Sequence, residues 1–512
     1  MSRVGFKSEN RKFFKNNFKK NSSDGVLLFE SFYDSKQLIY GVAKVAFSFA
    51  KAQNLYPKVF LPLNNKNGAK DFVKSICPNF INTKSYVLLF SIIKSFSLLN
   101  FFFKISNKKD IINIKIGDCD IGKHIYDALL IRFKEPSILK LDARHRKFIV
   151  LELIHFFLFN YIVIKENVKC VVLGDNVYRH GLLFELCKKY DIKCISPINL
   201  NAFTFSKFQS PIDYEKHCFA IDKKLINEFK NNEEAQVEIS DYFIKRYDGK
   251  IEQHDVISAF EGKVIKDKDE FFSHYKLNPV KKLIVLMPHI FCDAPHAYPN
   301  TIYDDYYEWF IDTIKHLQLN KNINFLVKEH PSAHLYNEQG VVQGILYKYN
   351  VQNLLVDLNE STVSILNNAD AVVTCGGTIG IEFACKGKPV ILAAHPPYSN
   401  LGFTFENNSI IEYHNTLKNI HNIKPLNEEQ KKIALTAAYI SFYLTDNYSE
   451  KLEIGSEKIL LGKGLSDVVL YDAIYGYNKV ALEKQEVFRV IKKFLESGSK
   501  MIRNEPNQFN TK

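Results

Sequence analysis

Two short elements hold the residue types best suited to chemistry. The first is Phe325-Leu326-Val327-Lys328-Glu329-His330-Pro331, an apolar strand that ends in a cation and an imidazole and is stopped by a proline. The second runs from Val372 to Val390, VVTCGGTIGIEFACKGKPV. It reads as a strand over Ala371 to Thr374, a tight turn at Cys375-Gly376-Gly377, and a helix over Ile379 to Cys385 with Thr378 as its cap. Gly387 then stops the helix and Pro389 opens another strand. A strand, a glycine turn and a capped helix offer backbone N–H groups and a positive dipole end, which suits phosphate. Glu382 stands one helical turn beyond Thr378 on the same face, where a carboxylate accepts hydrogen bonds from ribose hydroxyls. Ligands of open α/β sheets sit beyond the carboxyl ends of the strands. Lys328 and His330 therefore fall beside Gly376 if the two strands are parallel neighbours. There the imidazole can hydrogen-bond or protonate a leaving phosphoryl oxygen as charge develops. The plainer alternative is an αβ junction whose glycines permit close packing, with a loop histidine nearby.

These residues resemble the donor half of nucleotide-sugar glycosyltransferases of the GT-B fold, which have two Rossmann-like domains facing a cleft. Within that fold the chain is similar to bacterial capsular polysaccharide biosynthesis proteins, the group that includes the capsule Kdo transferases. The resemblance rests on His330-Pro331, Gly376-Gly377-Thr378, Gly387-Lys388-Pro389-Val390 and Tyr398-Ser399-Asn400-Leu401-Gly402-Phe403-Thr404, and spans about 280 to 410. Gly377-Thr378 stands where several relatives carry Ser or a Gln-Ser pair, so the donor's identity stays open. The resemblance implies sugar transfer from a nucleotide-sugar co-substrate to a glycan or lipid-linked acceptor, with no metal and no other cofactor.

A third cluster follows the first strand of the donor half: Met287-Pro288-His289-Ile290-Phe291-Cys292-Asp293-Ala294-Pro295-His296. His289 and Asp293 are read as donor-binding residues. A structural loop and a metal site are the alternatives, the latter disfavoured by the spacing of His289 and His296. The resemblance also implies a base from the N-terminal domain that takes the acceptor's proton. Two loops qualify, 117–127 with Asp127 and 174–180 with Asp175. Asp175 is favoured over Asp127, since it sits at a strand-end turn. Asp118-x-Asp120 matches the D-x-D of metal-dependent transferases of another fold, a weak signal alone.

The elements that must position these groups alternate in βαβ order, which predicts α/β architecture with parallel sheets. Residues 1–23 read as a basic arm and 24–275 as an N-terminal Rossmann-like acceptor domain with strands at Val26 to Glu30, Lys58 to Leu61, Ile111 to Ile116, Cys170 to Leu173 and Lys193 to Ser196. Phe148 to Lys165 reads as a strongly apolar helix, and 222–276 as a charged helical insert. Residues 280–425 form the donor domain, with strands at Lys282 to Met287, Asn324 to Val327, Asn353 to Val356, Ala371 to Thr374 and Val390 to Ala393. Residues 426–512 form a helical tail that packs back on the body.

At 512 residues the chain exceeds one core, and 46% hydrophobic with 24% charged residues is a globular composition. A net charge of +12 suits anionic partners such as nucleotide sugars, acidic glycans or a membrane surface. The charge is not gathered beside aromatic stacking motifs, which disfavours nucleic acid. Nine scattered cysteines without C-x-x-C argue for a reducing cytosol and against disulfides or zinc. No signal peptide is evident. The N-terminal arm is expected as a disordered tail or a lipid-binding segment. Tyr86 to Phe103 is read as the only stretch near spanning length, and as a buried or interfacial helix because polar residues interrupt it. The expected location is cytoplasmic, peripheral at the membrane's inner face, with capsule-assembly proteins as partners. Competing functions are a polyol-phosphate transferase of wall polymers, a UDP-sugar 2-epimerase, and a non-catalytic scaffold. The epimerase is disfavoured because Glu30-Ser31-Phe32-Tyr33-Asp34-Ser35 lacks its Gly-Thr-Arg-Pro-Glu loop.

Overall fold

Short, uninterrupted apolar strands are the mark of a parallel sheet covered on both faces, and the chain builds two such sheets. The computed structural model describes residues 3–20, 23–32, 35–61, 69–82, 95–198, 202–206, 221–251, 254–298, 300–351, 354–444 and 467–497. The strands in chain order are β1 (Val26–Glu30), β2 (Tyr56–Leu61), β3 (Phe80–Asn82), β4 (Lys115–Ile116), β5 (Cys119–Asp120), β6 (Val168–Val172), β7 (Lys193–Ile198), β8 (Ala202–Ser206), β9 (Lys282–Leu286), β10 (Ile323–Val327), β11 (Ala371–Thr374) and β12 (Val390–Leu392). One sheet has the order β3-β2-β1-β6-β7-β8, parallel except for the antiparallel edge pair β7–β8. The other, β10-β9-β11-β12, is wholly parallel. This is the α/β class of two Rossmann-like sheets that the sequence predicts.

The first unit comprises Met1–Tyr126, Lys140–Cys218 and Leu444–Lys512; the second comprises Asp127–Leu139 and Phe219–Tyr443. Two segments thus depart from the expected boundaries. The helical insert belongs with the second sheet, and Asp127 falls in the second unit.

The basic N-terminal segment is not a tail. Arg3–Asn17 is a helix, and Phe6, Phe13, Phe14 and Phe18 are buried in the core around β1 and β2. The spacing of Phe6, Phe13 and Phe14 places them on one helical face, Phe18 follows just past the helix's end, and the lysines are left to solvent. Burying each ring stabilises by roughly 1.5–3 kcal/mol before unfolded-state corrections. The same core takes Leu470, Ile474, Val487 and Ile491 from the last two helices, Asp467–Asn478 and Glu486–Ser497.

Ile111 to Ile116 is not a strand of the sheet. Asn107 and Asp110 form a capping box that starts a short helix, Lys108–Ile112, and only Lys115–Ile116 pairs, in a two-stranded hairpin with β5. An isoleucine run fits either period, and the cap decided between them. Asp118 therefore lies in a hairpin turn. Of the expected strand Asn353 to Val356, Asn353 lies outside the described residues and Leu355 makes one isolated bridge to Val327.

Helix Ala143–Lys165 is also long and apolar enough to cross a membrane, a candidate the sequence reading passed over in favour of Tyr86 to Phe103. Half of its most apolar window is buried, and it carries the buried Glu152 and His155, as a core helix does. Of the Tyr86 run, residues 86–94 lie outside the described residues. Ser95–Lys104 is helical, with Leu99 50% and Phe103 77% exposed.

Candidate functional site

In a doubly wound sheet, the loops after two adjacent strands diverge at one point, which opens a crevice beyond their carboxyl ends. In the second unit that point lies between β9 and β11. The chain leaves β9 for β10 on one side and β11 for β12 on the other. A cavity of about 220 Å³ opens there, lined by Met287, Pro288, His289 and Tyr298 after β9, by Lys328 to Pro331 after β10, and by Thr374, Gly377, Thr378, Ile379 and Glu382 after β11. Arg246, Ala259, Phe260 and Thr362 complete the wall. The expected meeting of Lys328, His330 and the glycine turn is thus observed.

The glycine turn is arranged differently from the expectation. The Gly376 N–H donates to Nε2 of His289 at 3.1 Å, and the Gly377 N–H to Oγ1 of Thr374 at 3.3 Å. Both amides are therefore engaged within the protein. Thr378 does not cap the helix: its backbone is already helical (φ −58°, ψ −24°) and its side chain makes no cap hydrogen bond. Close packing of this helix does need a glycine at 380, where a Cβ would stand 2.3 Å from the Tyr398 hydroxyl. His289 is half-buried, stacked on Tyr306 at 4.6 Å, and held neutral: loss of solvation first, then repulsion from His330, lowers its pKa to about 3. It positions the turn as an acceptor.

Nδ1 of His330 accepts from the Ser332 N–H at 3.2 Å, which places the ring proton on Nε2. Nζ of Lys328 donates to the carbonyl oxygens of Glu360 (2.8 Å) and Asp357 (3.4 Å). Burial, with Lys263 adding to it, lowers its pKa to about 8. Glu382 is buried against Arg246, whose Nε and guanidinium nitrogen lie 3.1 and 3.0 Å from Oε1. Arg246 comes from helix Glu233–Tyr247, part of the segment read as a peripheral insert. It went unnoticed because one arginine on a charged helix carries no local signal.

Two expected site residues lie elsewhere. Asp293 is not part of the cavity wall and hydrogen-bonds the Tyr336 hydroxyl. Asp127 is fully buried, accepting from the backbone N–H of His296 (3.3 Å) and from its Nδ1 (2.7 Å). It is not a solvent-facing base of the first unit. His289, Asp293 and His296 thus each have a different partner, and the alternative metal site there is not assembled.

The first unit has its own divergence point, between β1 and β6. Glu30 ends β1 with a carboxylate of 0% exposure that accepts from the N–H groups of Phe32 (2.5 Å) and Gly174 (2.7 Å) and lies 3.0 Å from Nδ1 of His180. Burial alone would lower the pKa of His180, but the Glu30 carboxylate outweighs it and raises it. Beside them Arg179 forms a two-nitrogen pair with Glu152, whose pKa is lowered by that charge against the pull of burial. Asp175 lies in the same loop, its Oδ1 accepting from the Asn176 N–H at 2.7 Å, and adds to the raised pKa of His180. Tyr178, at the start of the following helix, has φ 54°, a strained conformation for a bulky residue. Glu30 was legible as a charge closing an apolar strand; its pairing with His180 was not.

Residues 309–442 match the family of capsule polysaccharide biosynthesis proteins, which bears out the resemblance read from the second half of the chain. No curated protein matches. Among solved structures, the KpsC β-Kdo 2,4-transferase of Thermosulfurimonas dismutans is 15% identical, covering 53% of this chain and 80% of its own, with a TM-score of 0.30. The wall teichoic acid polymerase TagF is 11% identical over 92% of this chain and 94% of its own, with a TM-score of 0.23. Anabaena Alr3699/HepE, solved with UDP and glucose, is 10% identical over 89% of this chain and 100% of its own, with a TM-score of 0.27. Superpositions this loose carry no functional weight, and the fold class rests on the chain's own sheets.

Proposed function

We propose that the protein is a GT-B glycosyltransferase of bacterial surface polysaccharide synthesis, with its nucleotide-sugar donor in the cavity of the second unit. The observation that carries this reading is the convergence of Lys328, His330 and the Glu382–Arg246 pair on one cavity, with Lys328, His330 and Glu382 inside the segment that matches the capsule family. Loss of the sugar leaves charge on a phosphate oxygen. Nε2–H of His330 hydrogen-bonds that oxygen, and Lys328 neutralises it while charged, so the leaving group is served by side chains rather than a metal ion. Glu382, fixed by Arg246, accepts from the ribose hydroxyls. His180, positioned by Glu30, takes the acceptor's proton, a role for which the adjacent Asp175 was the first choice from sequence. The acceptor oxygen then bonds to the anomeric carbon as the phosphate departs. The acceptor class is a glycan or a lipid-linked glycan.

Calorimetry with CMP, UDP and GDP and their sugar conjugates tests the donor site, with a CDP-polyol as the arm for polyol-phosphate transfer. One nucleotide should bind to wild type and more weakly to Glu382→Gln. A 2′,3′-dideoxy nucleotide should not distinguish the two, because it lacks the hydroxyls. Equal losses for both nucleotides would make Glu382 structural.

Membrane contact is proposed at residues 95–109, where exposed Leu99 and Phe103 adjoin Lys104, Lys108 and Lys109. Each cation near an anionic surface contributes on the order of 1 kcal/mol. Sedimentation with anionic vesicles should be salt-sensitive and should fall for a Leu99→Ser/Phe103→Ser variant. Unchanged binding would remove this segment from the account.

A further inference from the structure

Away from the cavity, helix Tyr306–Leu319 and helix Ile410–Lys418 of the second unit pack together and bring three ligand-type side chains to one spot. Asp312 and His316 lie one turn apart on the first helix, and His414 comes from the second. The junction beneath them is fixed: Trp309 Nε1 donates to the Tyr413 hydroxyl at 2.9 Å, and Thr313 Oγ1 lies 2.8 Å from the same oxygen. One ligand atom from each of Asp312, His316 and His414 lies within 4.8 Å of the other two, and all three side chains are half-buried. The two imidazole rings stack with centroids 3.7 Å apart.

We propose that Asp312, His316 and His414 bind a divalent transition-metal cation of the zinc class, which clasps the two helices together. Two imidazoles and one carboxylate are the donor set of Zn²⁺ and its neighbours, whereas Mg²⁺ and Ca²⁺ prefer oxygen alone. Around a tetrahedral ion with bonds of about 2.0–2.2 Å, ligand atoms stand roughly 3.3–3.5 Å apart, so small side-chain rotations close the site. The outer contacts already have the form such sites require. Nδ1 of His316 lies 2.9 Å from the carbonyl oxygen of Asp312, which as a donor leaves Nε2 as the metal-facing atom. The Tyr303 hydroxyl donates to Oδ2 of Asp312 at 2.5 Å and orients the carboxylate. Oδ2 also lies 2.5 Å from Nε2 of His414, a contact that a cation would replace. Partial exposure leaves a path for entry and room for a water as fourth ligand. The site is independent of the donor reading, since none of its residues lines the cavity.

The test uses the full chain stripped with a chelator and titrated with Co²⁺, whose visible d–d bands report a tetrahedral nitrogen–oxygen site. Wild type should bind one equivalent, lose the bands to Zn²⁺, and melt at a higher temperature with Zn²⁺ than without. His316→Gln and His414→Gln should each weaken binding by more than tenfold, and Tyr303→Phe, which keeps all three ligands, by roughly tenfold. A far-UV spectrum matching wild type verifies that each variant is folded. Binding that survives both histidine changes, or a wild type without the bands, would overturn the proposal.

Discussion

Both divergence points contain a buried ion pair, but they differ in what stands beside it. At the first, between β1 and β6, charge is buried and paired: Glu30 with His180 and Glu152 with Arg179. At the second, between β9 and β11, a neutral imidazole holds a glycine turn, and the flanking cation is made less basic by burial. A carboxylate-backed imidazole is suited to removing a proton. A turn ringed by Lys328, His330 and Arg246 is suited to holding an anion and easing its departure. The same topology thus presents a carboxylate-backed imidazole in one unit and cations around a glycine turn in the other, and the loop residues make the difference.

The comparison breaks first at His180. Removing a general base typically costs 10²–10⁴-fold in rate. His180→Ala should lower turnover by about that factor with nucleotide affinity unchanged, as calorimetry beside a transfer assay will show. A parallel loss of nucleotide affinity would erase the division of labour. His330→Ala should cost about a hundredfold in turnover, roughly 3 kcal/mol, with its fold intact.

Arg246→Ala tests whether the donor side also contains a pair on which stability depends. It leaves the carboxylate of Glu382 buried without its guanidinium. Breaking such a pair costs about 3–5 kcal/mol, measurable by urea unfolding. A loss below about 1 kcal/mol would mean that Glu382 is held by other groups.

The smallest effects are in pH. Lys328 is charged below about pH 8, so nucleotide affinity should decline as pH rises through that value, and Lys328→Met should remove the decline. His289 has a folded pKa of about 3 against an ordinary 6.5. Between those values the unfolded chain binds a proton that the folded chain does not. Its contribution to stability is therefore complete above about 6.5 and is lost as pH falls toward about 3. His289→Asn, which keeps an acceptor for Gly376, should flatten that acid limb in unfolding curves.

The donor side was the more legible in sequence, and for a local reason. Strand ends, prolines and glycine turns announce themselves within a few residues, so His330, Lys328 and Gly377 were found where the cavity lies. What escaped was tertiary pairing. Glu382 was placed on the correct face, but its partner Arg246 is 136 residues distant on a helix that looked peripheral. Asp127 looked like a base because an aspartate in a helix gives no hint that His296 buries it. Glu30 and His180 were both in view but nothing local joined them. The N-terminal helix was hidden differently: its basic residues drew attention from the helical spacing of Phe6, Phe13 and Phe14.

The central claim, a nucleotide-sugar donor whose phosphate departs beside His330, is tested most directly by nucleotide release. Wild type and His330→Ala would be incubated with CMP-, UDP- and GDP-sugars and a capsule-type acceptor, and the freed nucleotide quantified. The account predicts release from one donor class by wild type and about a hundredfold slower release by the folded variant. Release from no donor, or equal release by both proteins, would contradict it.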